Sequence, residues 1–326
     1  MSIQRMGIWS CGALAVGAAI ATTVTSGTLL SLLTQALIYA VFASGVGVLL
    51  RQNGMVSFGH ALFFGSSGYA VGIMLQLQLW PAEVAIAVTL VGVAVFAFLI
   101  GLVMVRVPGV AFGMLTLAVG QMFFLTASRS RGLTGGADGM NIDWPSTIFG
   151  VSQSVLLRPA TMFMVCWATL VVVLLLLSVV LASRFGSITE AVRDNEERAR
   201  FVGIRTLVPR AAVYALSALV TGLSGILSAL NTGFVSPDSL HWSLSGVALM
   251  MVVVGGYKAL WGPALGAVVF FLAKDILGDY ANHWMAIFGM ALIAVIVFSP
   301  AGVAGALERL FKGKSAVRSH KPAGGH

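Results

Sequence analysis

The residues able to do chemistry in this chain are few and stand far apart. His60 is the only histidine before residue 241, and it follows Ser57 by three positions, so on a helix the two would share a face. The two cysteines, Cys11 and Cys166, both lie in apolar runs, where they read as small hydrophobes rather than as a disulfide framework or a metal cluster. The Asp and Glu residues, 11 in all, fall between apolar runs or at their ends. No nucleophile–base pair, paired-carboxylate site or metal-ligand spacing emerges, so no catalytic site and no cofactor are expected. A phosphate-binding G-x-x-x-x-G-K-[ST] run is missing too, because Glu308 stands where the triplet Gly313-Lys314-Ser315 would need an earlier glycine.

The elements that must position these residues follow from composition. Hydrophobic residues make up 58% of the chain, charged residues 9%, and mean hydropathy is +0.97. A soluble domain carries about 25% charged residues, so the bilayer must solvate most side chains here. Apolar stretches fall at 8–24, 28–50, 56–78, 84–105, 110–128, 160–182, 211–231, 243–256, 259–273 and 284–300. They are continuous rather than alternating, which predicts helices and not a barrel. The expected fold is an all-α membrane protein, a polytopic transmembrane helix bundle of about ten crossings, with eight as the fallback. The fallback exists because 243–256 and 259–273 are short enough to be two spans or one re-entrant pair.

The net charge of +8 and pI near 10.0 would suggest nucleic acid in a soluble protein. Here the basic residues sit between apolar runs and set topology, so lipid is the expected partner and nucleic acid is not. With an inside N-terminus, one side holds Arg5, Arg51, Arg106, Lys258, the arginines from Arg184 to Arg210 and the basic residues from Arg309 to Lys321. The other keeps only Arg129, Arg131, Arg158 and Lys274. That asymmetry predicts a multi-pass inner-membrane protein with both termini cytoplasmic. Arg5, a short apolar run and the small residues near Ala19–Thr23 also fit a cleavable leader, which would leave nine crossings. Residues 1–307 form the expected transmembrane domain, with an outside loop at 129–159 and an inside loop at 183–210, and 308–326 form a basic cytoplasmic tail.

Two segments carry candidate site residues. In Asn53–Tyr69, Gly54, Gly59, Gly65 and Gly68 weaken a regular helix, and a broken helix at membrane depth is tolerated where it lines a cavity or is buried in protein. Gly54, Ser57, Gly59 and His60, with Gln121 in mid-span, are therefore the candidate solute path, and an exposed helix end there could receive a solute carboxylate. The alternative is that a neutral His60 only hydrogen-bonds a neighbouring helix. The pairs Gly68/Gly72, Gly109/Gly113 and Gly262/Gly266 read as close helix packing, and Asp138 and Asp143 as turn formers or contacts for a binding protein.

In the inside loop, Ser187 and Glu190 match a capping box and Gly203 a left-handed stop, predicting about four turns of helix between them. Ile188, Ala191, Val192, Ala199 and Val202, with Asn195, form its expected stripe. Acids and arginines balance between Glu190 and Arg205, with Arg193 and Asp194 among them, which suits a protein partner better than a lipid surface.

The run GSITEAVRDNEERARFVGI resembles the cytoplasmic coupling loop of branched-chain amino acid ABC importer permeases of the LivM type. RQNGMVSFGHALFFGSSGYAVG, LTGGADGMN and MMVVVGGYKALWGPALGA resemble further blocks of that family, in its order, from residue 51 to 267. Tyr257-Lys258-Ala259 departs from the small residues more usual there, and the first 25 residues and the tail carry no resemblance. The resemblance implies a transport subunit and not an enzyme. It would work with a second permease, two cytoplasmic ATPase subunits that hydrolyse ATP, and an extracytoplasmic solute-binding protein. Glu190, Ala191, Arg193, Asp194, Asn195 and Gly203 would form the ATPase coupling site. The implied solute is a branched-chain amino acid, with urea or short amides as alternatives. A stand-alone secondary transporter is disfavoured because no Asp or Glu lies inside a span to couple an ion.

Overall fold

The structure, a computed structural model, describes residues 3–306 except Thr25, Leu79, Pro108, Phe149, 281–288, 291–292 and 294–301. Each of the first nine apolar stretches is a helix. In chain order these are α1 (Ile3–Thr23), α2 (Gly27–Asn53), α3 (His60–Gln76), α4 (Ala82–Met104) and α5 (Val110–Arg129). After a long connection with α6 (Arg131–Thr134), β1 (Met140–Asn141), β2 (Thr147–Ile148), β3 (Val151–Ser152) and α7 (Gln153–Leu156) comes α8 (Pro159–Ala182). Two short helices, α9 (Arg184–Asp194) and α10 (Glu196–Phe201), lead into α11 (Leu207–Thr232). β4 (Phe234–Val235), a 3-10 turn at Pro237–Leu240, α12 (Trp242–Gly255) and α13 (Gly262–Tyr280) follow. The tenth stretch, 284–300, lies almost wholly outside the described residues, as do the 308–326 tail and the Gly313-Lys314-Ser315 triplet.

Among the described residues five helices, α2, α4, α5, α8 and α11, are long and apolar enough to cross a membrane. They fall into two classes. The apolar windows of α2 and α11 are 78% and 72% buried within the protein, those of α4, α5 and α8 only 22%, 28% and 28%. The first pair is the core, and the other three turn large apolar side chains such as Val91, Val103, Met114 and Leu176 outward, as lipid-facing helices do. Helix α1 leans on α8, where the Trp167 indole Nε1–H donates to the Ala13 carbonyl at 2.9 Å. Helix α12 has 14 residues, about 21 Å, which is less than the hydrocarbon thickness. It packs antiparallel on α13, which continues past the expected 273 through Lys274 and Asp275 to Tyr280.

Small side chains bring the core helices together. The Ser217 hydroxyl of α11 donates to the Gly45 carbonyl of α2 at 2.6 Å, and the Ser67 hydroxyl of α3 donates to the Gly222 carbonyl at 2.7 Å. A Cβ at Gly225 would lie 2.0 Å from the Phe64 carbonyl oxygen, so only glycine lets α11 and α3 meet there. Of the three G-x-x-x-G pairs, Gly262/Gly266 is the tightest, since a Cβ at Gly266 would lie 1.9 Å from the Met251 carbonyl oxygen. Gly68, Gly72 and Gly113 make closer to ordinary contacts. Gly109 packs against nothing: it stands at φ +67° as the residue before α5, so its role is a turn.

The bundle has two different ends. At one, β1 pairs antiparallel with β4, in the register Met140 with Val235, which ties the 130–158 connection to 233–241. The turn in GGADG depends on Gly135 at φ +75°, where a Cβ would collide with the Gly139 carbonyl at 1.9 Å. Asp138 closes that turn with its side chain exposed, and Asp143 is exposed beyond it. At the other end, Arg51, Gly54, Glu190, Arg193, Tyr257 and Lys258 surround one cleft. The α12–α13 contact gives a direct check. Gly266→Leu forces these backbones apart, an overpacking that costs about 1–3 kcal/mol or more, and should sharply lower the folded protein recovered from membranes. Gly246→Ala, whose Cβ meets nothing within 4 Å, should leave recovery unchanged. Equal recovery of both variants would refute the close contact.

Candidate functional site

The break between α2 and α3 begins where Gly54 ends α2 at φ +64°, its N–H donating to the Leu50 carbonyl. Residues 54–59 then cross the bundle in extended and bent backbone, and the freed groups find partners inside the protein. The Phe58 N–H donates to Thr116 Oγ1 of α5 at 3.2 Å, the Gly59 N–H to Ser57 Oγ at 3.3 Å, and the Ala61 N–H to Ser245 Oγ of α12 at 2.8 Å. The N–H groups of Phe58, Gly59 and Ala61 are thereby engaged within the protein and are not left open at a helix end. Gly59 is the tight point: its Cβ would sit 2.4 Å from the Thr116 carbonyl oxygen.

Ser57 and His60 are fully buried and adjacent, as their spacing suggests. His60 Nε2 lies 2.7 Å from Ser217 Oγ, whose own proton goes to the Gly45 carbonyl. Nε2 therefore carries the hydrogen, and Nδ1 accepts from Ser57 Oγ at 2.8 Å. A neutral ring completes this network, with Phe63 and Tyr214 set edge-on around it. The geometry is that of a helix-joining histidine. Gln121 stands one residue after Gly120, which packs over Gly59. Its Oε1 is buried and has no hydrogen-bond partner among the described residues.

The inside loop departs from its expected shape. A single helix from Ser187 was expected, but α9 starts at Arg184, and Ser187 lies within it with its N–H bonded to the Ser183 carbonyl. No capping box forms with Glu190. The backbone breaks at Asn195, φ −158° and ψ 101°, and the Asn195 side chain caps α10 by accepting from the Arg198 N–H at 2.8 Å. The stripe is consequently not continuous: Gly186, Thr189, Val192 and Ala199 are buried, while Ile188, Ala191, Asn195 and Val202 are exposed. Gly203 does hold the left-handed stop, at φ +89°.

Each half of the loop is tied to a different core helix. From α9, the Thr189 hydroxyl donates to Gln52 Oε1 at 2.8 Å, and Arg193 Nη1 donates to the Arg51 carbonyl of α2 at 2.5 Å. The Arg193 stem also covers Gly54, so a residue of the candidate path and two of the 183–210 loop, Glu190 and Arg193, line one cleft of about 390 Å³. From α10, Glu196 receives hydrogen bonds from Arg200, from Thr206 and from Arg210 at the base of α11. Burial pushes the Glu196 carboxyl upward, but the Thr206 hydroxyl and the Arg210 and Arg200 guanidiniums outweigh it and hold the group below the usual carboxylate range. Asn53 Nδ2 in turn donates to the Arg210 carbonyl at 3.0 Å. Arg193 also pairs with Asp194 at 2.7 Å and Glu190 at 3.5 Å, contacts exposed enough to contribute little. Phe201 and Val202, 91% and 77% exposed, form an apolar corner at the end of α10. The sequence reading passed over Phe201, although an aromatic amid alternating charges was a signal for it.

A second cavity, about 290 Å³, opens between α2, α3, α11 and the 233–241 segment at the opposite end. Its walls include Tyr39, Phe64, Ser228, Thr232, Asp238 and Ser239. No group of three His, Cys, Asp or Glu able to hold a metal exists among the described residues. The break yields one test. Gly59→Leu should reduce transport by about tenfold or more, because α5 must move to admit it. His60→Gln, which keeps a donor and an acceptor, should stay within about threefold. Normal uptake by Gly59→Leu would refute the tight crossing.

A family model for the permease component of branched-chain amino acid transport systems matches residues 28–298. The chain is 23% identical over 295 residues to the high-affinity branched-chain amino acid transport system permease protein LivM of Salmonella typhimurium, covering 83% of this chain and 68% of that one. It is 24% identical over 290 residues to LivM of Escherichia coli, with the same coverage. It is 26% identical over 283 residues to the autoinducer 2 import system permease protein LsrC of Salmonella typhi, covering 83% and 77%. No solved structure matches.

Proposed function

This chain belongs to the family of branched-chain amino acid transport permeases, and we propose that it is the membrane-spanning subunit of an ATP-binding-cassette importer for branched-chain amino acids. Its expected partners are a second permease, two cytoplasmic ATPase subunits and an extracytoplasmic binding protein. ATP hydrolysis would reside on the ATPase subunits. The observation that carries the reading is the Phe201–Val202 corner. A large apolar pair is held out on a charged loop that is braced by Arg193 to α2 and by Glu196 to α11. An exposed aromatic on a rigid mount is what a docking partner's pocket requires. The similarity to LsrC supports a second reading, in which the solute is not an amino acid.

On this reading both termini are cytoplasmic, on the same side as the 183–210 loop. Reporter fusions after Lys321 and within 132–140 should then report opposite sides, and a shared side would overturn the arrangement.

The coupling role predicts a separable defect. Ala199→Pro removes the N–H that bonds the Asn195 carbonyl at 3.1 Å and costs about 3 kcal/mol in a helix interior. Phe201→Glu alters only an exposed side chain. Both variants should accumulate in the membrane, yet lose ATPase co-purification and at least about tenfold of ATP-dependent leucine uptake. Arg198→Ala should do far less, since exposed ion pairs are worth about 0–1 kcal/mol. Full uptake by Phe201→Glu would remove the coupling-loop reading.

A further inference from the structure

We propose that the cavity beneath the 233–241 segment is a solute station in which the Asp238 carboxylate receives the ammonium group of a zwitterionic amino acid. The inference rests on the importer reading above and adds the chemistry by which this chain itself accepts the solute.

Among the residues lining the 290 Å³ space, Asp238 is the one charged side chain. That space is several times the roughly 30 Å³ share of a water molecule, so it admits a small solute. Asp238 makes no ion pair among the described residues, although the same bundle pairs Glu196 and Arg193 closely at its other end. Asp238 is exposed and stands at the mouth of the space, where a carboxylate without a neighbouring cation favours an incoming positive group.

A second observation points the same way. Tyr69 is 4% exposed, and its hydroxyl has no hydrogen-bond partner among the described residues. It follows Gly68, which lines the cavity, and lies close enough to Asp238 to feel its charge. Buried hydroxyls are nearly always satisfied. Tyr69 does not itself line the space, but an orphan hydroxyl within reach of the Asp238 field is a group able to take a partner that arrives with the ligand. The remaining walls divide by chemistry. Ser228 and Thr232 of α11 and Ser239 present hydroxyls, and Phe64, Val235 and Leu244 offer apolar surface for a branched side chain.

The test uses the complete transporter in liposomes, with its binding protein saturated by radiolabelled L-leucine and ATP on the ATPase side. Asp238→Asn preserves shape and removes charge. It should lower maximal uptake by about tenfold or more while leaving the half-saturating concentration of binding protein unchanged. Asp238→Glu should retain most uptake. Tyr69→Phe removes a hydroxyl that bonds nothing in the protein, so it should leave thermal stability intact yet lower uptake by about threefold or more. Unchanged maximal uptake in Asp238→Asn overturns the station. So does a defect appearing only in the half-saturating concentration, which would make Asp238 a docking contact for the binding protein. Absence of L-leucine uptake by the unaltered protein would instead overturn the amino-acid reading, and this proposal with it.

Discussion

A polypeptide that interrupts a helix inside a bilayer must satisfy its freed backbone groups within the protein. Much of this bundle follows from meeting that demand at residues 54–59. The N–H groups of Phe58, Gly59 and Ala61 are taken by hydroxyls from α5, from the segment itself and from α12, and His60 ties the start of α3 to Ser217 of α11. These partners come from chain positions far apart, so the interruption forces α2, α3, α5, α11 and α12 to converge. Convergence in turn demands small residues, which is why Gly59 and Gly225 come closest to backbone carbonyls of neighbouring helices. The lipid-facing helices α4, α5 and α8 are free of that demand on their outer faces and can expose a simple apolar surface.

The two ends of the bundle are chemically unlike. The end with α9 and α10 is rich in arginine, and its charges are mostly paired with one another or with backbone carbonyls. The end with β1 and β4 is built from turns, hydroxyls and a single acid facing a cavity. A helical core with a close-packed crossing at its middle separates them. His60 belongs to that crossing: its ring nitrogens are both engaged by serines, which makes it a fastening and leaves the polar work to groups nearer the ends.

What could be read from the chain beforehand was whatever is local. Continuous apolar runs determine helices in a membrane, so nine of them were visible. The kinked path at Gly54–Gly59 was visible because glycine density has few other meanings at that depth. The adjacency of Ser57 and His60 followed from their spacing. The partners Thr116, Ser217 and Ser245 were not visible, since each is an ordinary hydroxyl in an apolar run and only the packing selects it. The inside loop misled because Ser187 and Glu190 imitate a helix start, while the actual cap, Asn195 followed by Glu196 and Glu197, was hidden inside a stripe that looked unbroken. Asp238 was hidden for another reason: its neighbours in space come from α2, α3 and α11, and no local pattern announces them.

The break at Asn195 has a mechanical consequence. Because α9 is fixed to α2 and α10 to α11, the loop behaves as two arms rather than one rod. The arms meet at Asn195, and the helices they grip are joined near the loop, where Asn53 bonds the Arg210 carbonyl, and again deeper, where Ser217 bonds the Gly45 carbonyl. A load applied at the Phe201 tip therefore reaches α11 through Glu196, and α2 through the joint and α9. A linkage of this kind loads the two core helices by separate routes. A single rigid helix gripping both would have carried them along together.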